Sequence, residues 1–194
     1  GEQGIAEPGK VPIRTAAVIN LINVIQWALY YPAVLDLDEL NLTPQEQQTL
    51  AESLGSYRRG DLLDALAKYP VGRQPASAQE KIYWGALLLA VGQVEKTQAL
   101  LNSPEISGAP DGRLLVLSDA LRKLIDAVKL QPHTATLNLQ LSTNLATAWL
   151  AESYYQQSRR DLTNALKAAK NATTASPRFG FGWARLAELE FSFG

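Results

Sequence analysis

Apolar positions recur with a helical period along most of this 194-residue chain. In the closing run WARLAELEFSFG, four apolar residues crowd one side of a helix with 3.6 residues per turn: Trp183, Leu186, Ala187 and Leu189. The same periodicity, combined with capping and turn signals, predicts a chain of helices with almost no strand. The predicted helices lie near residues 15–31, 43–58, 61–69, 76–91, 93–102, 112–130, 136–158, 160–175 and 179–193.

For two stretches, the start of the helix at 43–58 and the apolar run 16–32, the prediction uses more than apolar periodicity. Thr43 precedes Pro44, and Glu46 follows three residues after Thr43, which is the pattern of a capping box with proline at the first helical position. The run from Ala16 to Pro32 is strongly apolar, but it is too short for a membrane span of about 20 residues. We assign it to a buried helix, although its density of Val and Ile also suits a strand.

Internal similarity is the most informative property of the sequence. The segments DALRKLIDAVKLQP and NALKAAKNATTASP share two alanines seven residues apart and a proline five residues later: Ala120, Ala127 and Pro132, then Ala165, Ala172 and Pro177. DLLDAL at 61–66 recurs as DLTNAL at 161–166, and an arginine pair precedes each copy closely. The turn residues Gly60 and Gly92 lie 32 positions apart (92 − 60). Helical hairpins repeating at about 34 residues explain this spacing.

The unit ATAWLAESYYQQSRRDLTNALKAAKNATTASP resembles a tetratricopeptide repeat. Trp149 matches the tryptophan of the first helix, while Ala165, Ala172 and Pro177 match the second helix and its end. Fitting the LAESYY stretch to the pattern requires a turn about two residues longer than usual near residues 158–160. A further unit starts at Trp183 and reaches a turn glycine at the last residue, so we expect the last repeat to be incomplete.

A second resemblance concerns the runs VIQWALYYPAVLD and SPRFGFGWARLAELEFSFG. Together with the repeats, they are similar to the repeat region of large bacterial proteins that also carry a FecR-like domain. This resemblance implies a bacterial cell-envelope or periplasmic setting, with the cytoplasm as the open alternative.

The expected fold class is all-α, an irregular tetratricopeptide-like solenoid of helical hairpins (an α–α superhelix) that is truncated at its C-terminal end. We expect residues 1–12 to be a flexible leader or a cloning remnant. Residues 13–42 are expected to be a helical segment that packs on the array, and residues 43–194 to hold the repeats.

Composition and candidate chemistry argue against an enzyme. Eighteen basic residues balance nineteen acidic ones, without the basic surplus typical of a nucleic-acid binder, and cysteine is absent. His133 is the only histidine, and its local run QPHTATLNLQ holds no carboxylate, so we expect an exposed residue without a chemical role. Asp36, Asp38 and Glu39 predict a solvated turn, and the glycines of RFGFGW a helix start. No cofactor, metal or catalytic constellation is expected.

The sequence therefore predicts a non-enzymatic scaffold that binds a protein or peptide partner on its concave face. Candidate groove residues, chosen by helical phase, are Gln79, Tyr83, Tyr154, Gln157, Arg185 and Glu188. The alternative is a structural or assembly segment of a larger envelope protein, with the groove filled by its own chain. No nucleic acid and no membrane span are expected. The apolar residues of the last helix predict self-association.

Overall fold

A computed structural model describes residues 2–5, 13–16, 32–134 and 144–193 of the chain. The chain divides into two compact units, Gly1–Tyr30 and Tyr31–Gly194. In the first unit, strand β1 (Glu2–Ile5) pairs antiparallel with strand β2 (Ile13–Ala16), so that Ile5 lies opposite Ile13. This pairing was not predicted, because β1 lies in the expected leader and β2 overlaps the expected helix 15–31. β-Branched Ile13 and Thr15 favour the strand. The rest of that helix, residues 17–31, lies outside the described residues.

The second unit is helical. Its described residues form ten α-helices: α1 (Pro44–Thr49), α2 (Ala51–Arg58), α3 (Leu62–Ala67), α4 (Ala78–Ala90), α5 (Val94–Leu101), α6 (Pro104–Ser107), α7 (Gly112–Val128), α8 (Ala146–Ser158), α9 (Leu162–Ala175) and α10 (Gly180–Phe193). The predicted all-α class is confirmed. In detail, the expected helix 43–58 is divided at Leu50, and the short helix α6 lies between the expected helices 93–102 and 112–130. The expected helix 136–158 is described only from Ala146, because residues 135–143 lie outside the described part.

Local capping residues start several of these helices. The predicted capping box is present: the Thr43 amide donates to Glu46 Oε2 at 2.8 Å, and the Glu46 amide donates to Thr43 Oγ1 at 3.2 Å. Asp61 and Asp161 cap α3 and α9 in the same way, each accepting a backbone amide three residues later at 2.9 Å. The repeated DLxxAL motif is therefore a cap followed by the start of a second helix.

Three hairpin turns share one geometry. Three residues separate α2 from α3, α4 from α5 and α8 from α9, and the middle residue has a positive φ: Gly60 (83°), Gly92 (76°) and Arg160 (65°). In each turn, this residue and the next donate amides back to the preceding helix, which is a Schellman ending. The turn near 158–160 is as long as the other two, so it is not lengthened relative to them. Arg160 occupies the left-handed position that glycine holds in the other two turns.

The helices pack mainly on their neighbours in sequence, as α2 on α3, α4 on α5, α7 on α8, α8 on α9 and α9 on α10. Ala165 and Ala169 on α9 form a core cluster with Leu189 of α10. Ala165 and Ala172 are fully buried, which confirms that the repeated alanines lie where helices approach closely. None of the described helices combines the length and apolar composition that a membrane crossing requires.

The segment 34–42 packs on helices far along the chain. It has no regular secondary structure apart from a 3-10 turn at Leu37–Glu39, so the helical structure expected for 13–42 is wrong over these residues. Five of its apolar side chains are buried: Val34, Leu35, Leu37, Leu40 and Leu42. The Asp36 amide donates to Thr147 Oγ1 at 2.8 Å. This segment is therefore part of the core of the second unit.

Candidate functional site

In two of the three hairpins, α2–α3 and α8–α9, an equivalent serine contacts the helix that follows the hairpin. Ser53 on α2 donates to the Ala65 carbonyl at 2.6 Å, and its Oγ lies 2.7 Å from the Tyr83 hydroxyl of α4. One hundred residues later, Ser153 Oγ on α8 accepts from Arg185 Nε of α10 at 3.1 Å. Tyr83 and Arg185 thus occupy the same position between successive hairpins. Both are buried, and burial raises the pKa of Tyr83 to about 12.

The guanidinium of Arg185 organises a cluster between α8 and α10. Its Nη2 donates to Gln157 Oε1 at 2.6 Å, and its central carbon lies 4.0 Å from the centre of the Tyr154 ring. Its Nη1 lies 2.9 Å from Glu188 Oε2, an ion pair without hydrogen-bond geometry. The Arg185 side chain is 0% exposed, whereas Glu188 is 56% exposed. We call the group of Ser153, Tyr154, Gln157, Arg185 and Glu188 the Arg185 cluster.

The structure brings four of the six predicted groove residues together in this cluster. Gln157 and Glu188 are exposed and Tyr154 is half-buried, but Arg185 is buried. The other two lie on α4, where Gln79 is half-buried and Tyr83 is buried. The expected outward orientation of Tyr83 and Arg185 is therefore wrong. Helical phase correctly identified positions that point away from the helix paired with α4 or α10. At Tyr83 and Arg185, however, that side of the helix packs on the preceding hairpin and is not open to solvent.

The exposed edge of the Arg185 cluster carries one donor and one acceptor. Because Gln157 Oε1 accepts from Arg185, the amide nitrogen of Gln157 is the group left to donate to a ligand. Glu188 offers carboxylate oxygens, which accept hydrogen bonds. A peptide group needs this combination, since its carbonyl accepts and its amide donates. From below, Arg185 holds Gln157 by a hydrogen bond and attracts the carboxylate of Glu188 by its charge.

His133 is a site that the sequence did not predict. Its ring is 6% exposed, with Nδ1 2.7 Å from Asp126 Oδ2 and Nε2 3.2 Å from Asp119 Oδ2. The expected exposed residue without acidic partners is therefore wrong. Both carboxylates lie on α7, 7 and 14 positions before His133 and outside the run QPHTATLNLQ. The sequence did contain a signal for this site: two aspartates seven residues apart lie on one face of a predicted helix, and that helix ends shortly before the histidine.

The acidic run at 36–39 forms a turn as predicted, but of its three carboxylates only that of Asp38 is solvent-exposed. Asp36 is buried and caps the 3-10 turn by accepting the Asp38 amide at 3.1 Å. Glu39 accepts the Ala146 and Thr147 amides, 2.5 and 3.2 Å away, at the first turn of α8. Burial raises the pKa of Glu39, and the hydrogen bonds with Thr147 and Ala146 offset part of the rise.

Two adjoining clefts flank Asp38. Arg58 and Arg178 reach opposite oxygens of its carboxylate, at 3.3 and 3.5 Å. One cleft has a volume of about 360 Å³ and runs toward Phe179 and Phe181, and the other has about 480 Å³ and runs toward Asn41 and Gln47. As predicted, the RFGFGW glycines lie at a helix start, because α10 begins at Gly180.

Among the described residues, no group of three or more histidine, aspartate or glutamate side chains is arranged to hold a metal ion. The chain matches no family model, no curated protein and no solved structure.

Proposed function

We propose that this chain is a non-enzymatic scaffold module that binds a protein or peptide segment along the α8–α10 side of a tetratricopeptide-like solenoid. One observation carries the proposal. The Arg185 cluster holds an exposed amide donor, Gln157, and an exposed carboxylate acceptor, Glu188, on a single buried guanidinium. Tyr154, half-buried beside them, offers an amphipathic ring of the kind that anchors interfaces.

Preorganisation is the physical reason for placing the partner there. Gln and Glu side chains normally lose conformational freedom when they bind a ligand, which weakens the interaction. Arg185 already holds Gln157 by a hydrogen bond and draws Glu188 toward it by charge in the unbound protein, so less entropy remains to be lost. The solenoid-like hairpins support this assignment, since such arrays present their first helices as a binding surface.

A peptide selection tests this function. A displayed random-peptide library is selected on the unmodified protein, and the enriched peptides are then measured against Gln157→Ala/Glu188→Gln. The matched control is Gln98→Ala/Glu95→Gln, which changes the same residue types on the exposed side of α5. We expect at least tenfold weaker binding to the first variant and unchanged binding to the control. A selection without enriched peptides, or equal loss in both variants, overturns the proposal.

The segment 34–42 favours the alternative, a structural segment of a larger envelope protein whose groove is filled by its own chain. Its buried leucines and its bonds to Ala146 and Thr147 make it an internal occupant of the helical unit. Amide hydrogen exchange distinguishes the two functions. Exchange at 34–42 as slow as in α8, and unchanged by the selected peptides, supports the alternative. Faster exchange at 34–42 supports an openable groove.

Family, setting and self-association are also proposals. The three hairpins with equal turns support the tetratricopeptide-like assignment. The FecR-like relationship and the bacterial envelope or periplasm rest on the runs VIQWALYYPAVLD and SPRFGFGWARLAELEFSFG. Trp183 and Phe191 are exposed on α10, which supports association with a second copy.

A further inference from the structure

The His133 ring is held between two carboxylates of one helix. Asp119 and Asp126 lie two helical turns apart on α7, and each faces a different ring nitrogen of His133. Only the protonated imidazolium carries a proton on both nitrogens and can donate to both carboxylates at once. The neutral ring donates from one nitrogen and turns a lone pair toward the other carboxylate, so this geometry is complementary to the charged form.

The main chain of His133 is tied to the next helix. Its amide donates to the Tyr155 hydroxyl of α8 at 3.1 Å, and the His133 and Tyr155 rings meet edge to face with centres 6.1 Å apart. One residue therefore contacts α7 through its side chain and α8 through its backbone. It stands in the stretch 131–134, which directly follows the left-handed ending of α7 at Leu130.

The remaining charges around the ring are balanced. Lys123 of α7 pairs with Glu152 of α8 at 2.7 Å. Burial opposes ionisation of Glu152, but hydrogen bonds with Lys123 and Gln156 bring its pKa below the ordinary value. The groups facing His133 are thus Asp119, Asp126 and Lys123 from α7, with Glu152 and Tyr155 from α8. Asp119 and Asp126 are the two carboxylates that face the imidazole, and Asp119 also interacts with the guanidinium of Arg122.

We propose that His133 is a pH-sensitive latch, which fastens the 131–134 linker to α7 and α8 while its ring is charged and loosens it when the ring loses its proton. The deprotonated ring faces at least one ionised carboxylate without a proton to share, and the repulsion moves it away. The backbone bond to Tyr155 weakens with it. The fold thereby couples the attachment of residues 131–134 to pH.

The direction of the effect follows from the pKa of the ring. The hydrogen bond to Asp119 raises the pKa of His133 above its ordinary value of 6.5, and the bond to Asp126 adds to the rise, while burial and Lys123 oppose it. A group whose pKa is raised by folding stabilises the folded state fully below its unfolded-state pKa. That stabilisation is lost as the pH rises through the folded-state pKa. The latch is therefore closed below about pH 6.5 and opens above the raised value.

A titration by NMR tests the latch on the intact chain. Because His133 is the only histidine, its ring C2 proton gives a single signal that reports its pKa. We expect a pKa above 6.5 in the unmodified protein and a lower value in Asp119→Asn and in Asp126→Asn. Hydrogen-exchange protection of the His133 amide, corrected for the intrinsic exchange rate, should fall about fivefold across the titration, the effect of one net hydrogen bond.

Two variants separate the latch from simple packing. Tyr155→Phe removes the backbone acceptor, so the raised pKa should remain while the amide loses protection at every pH. His133→Gln should leave a linker whose protection does not change with pH. A pKa at or below 6.5, or protection that stays constant through the titration in the unmodified protein, overturns the proposal. Both of these outcomes are measured on the unmodified protein, so the test does not depend on whether the variants fold.

Discussion

Arg160 holds a backbone conformation that an L-residue adopts at a cost of roughly 1–2 kcal/mol. Its φ of 65° matches that of Gly60 and Gly92 in the equivalent turns, where the missing Cβ removes the cost. The amides of Arg160 and Asp161 still close the end of α8, at 2.8 and 2.9 Å. The turn geometry is thus maintained by the helix ending and the Asp161 cap, against the preference of the residue in its middle.

Arg160→Gly should therefore stabilise the protein by about 0.5–1 kcal/mol, since part of the relieved strain is offset by the greater entropy of glycine in the unfolded chain. Urea unfolding measures the change. Gly92→Ala is the matched opposite substitution, and it should destabilise by a similar amount. A destabilised Arg160→Gly variant would show that the arginine side chain contributes contacts that outweigh the strain.

We predict that Arg185 contributes mainly to the stability of the fold and only secondarily to binding. Arg185→Ala leaves a cavity and removes the hydrogen bonds to Ser153 and Gln157, so it should cost about 3 kcal/mol of unfolding free energy. Glu188→Gln changes an exposed partner and should cost less than about 1 kcal/mol. Thermal and urea unfolding of both variants check this difference. Equal and small losses would place Arg185 at the surface, as the sequence alone suggested.

At the scale of elements, short-range hydrogen bonds were predictable and long-range ones were not. The Thr43–Glu46 box and the alanine-lined helices follow from residues three to seven apart, so the sequence pattern contains them. Glu39 instead caps a helix 107 residues away. Its partner depends on how the hairpins stack, and no spacing in the sequence encodes that. Tyr83 and Arg185 were misplaced for the same reason, because helical phase does not distinguish a groove from a neighbouring hairpin.

Ala172 tests the packing of α9. It is fully buried, and a Cβ added at Gly182 of α10 would lie 3.9 Å from it and 3.3 Å from Phe179. Ala172→Leu should overpack this contact and destabilise the protein by roughly 1–3 kcal/mol. Lys167→Leu, a substitution at a solvent-facing position of the same helix, should change stability by less than about 0.5 kcal/mol. If Ala172→Leu unfolds like the unmodified chain, the repeat alignment is incorrect.

At the scale of the whole molecule, the outer side of α10 carries two exposed aromatic side chains, Trp183 and Phe191. Trp183 is 50% exposed and Phe191 is 90% exposed, and they stand eight residues apart with exposed Ala187 between them. Positions i, i+4 and i+8 lie along one stripe of a helix. The inner side of α10 is already filled by Leu189 packing against α9. Covering the stripe therefore requires another surface.

Trp183→Gln/Phe191→Gln should accordingly reduce self-association of the protein. Sedimentation velocity over a hundredfold range of concentration measures it, and we expect the unmodified protein to shift toward larger species while the double variant stays monomeric. Leu63→Gln is the matched control, because Leu63 is an isolated apolar residue with 71% exposure on α3. Scattered apolar residues of this kind are ordinary on protein surfaces, whereas a contiguous stripe drives association. A protein that is monomeric throughout, or an equal effect of Leu63→Gln, would mean that the α10 stripe is too small to bind a second copy.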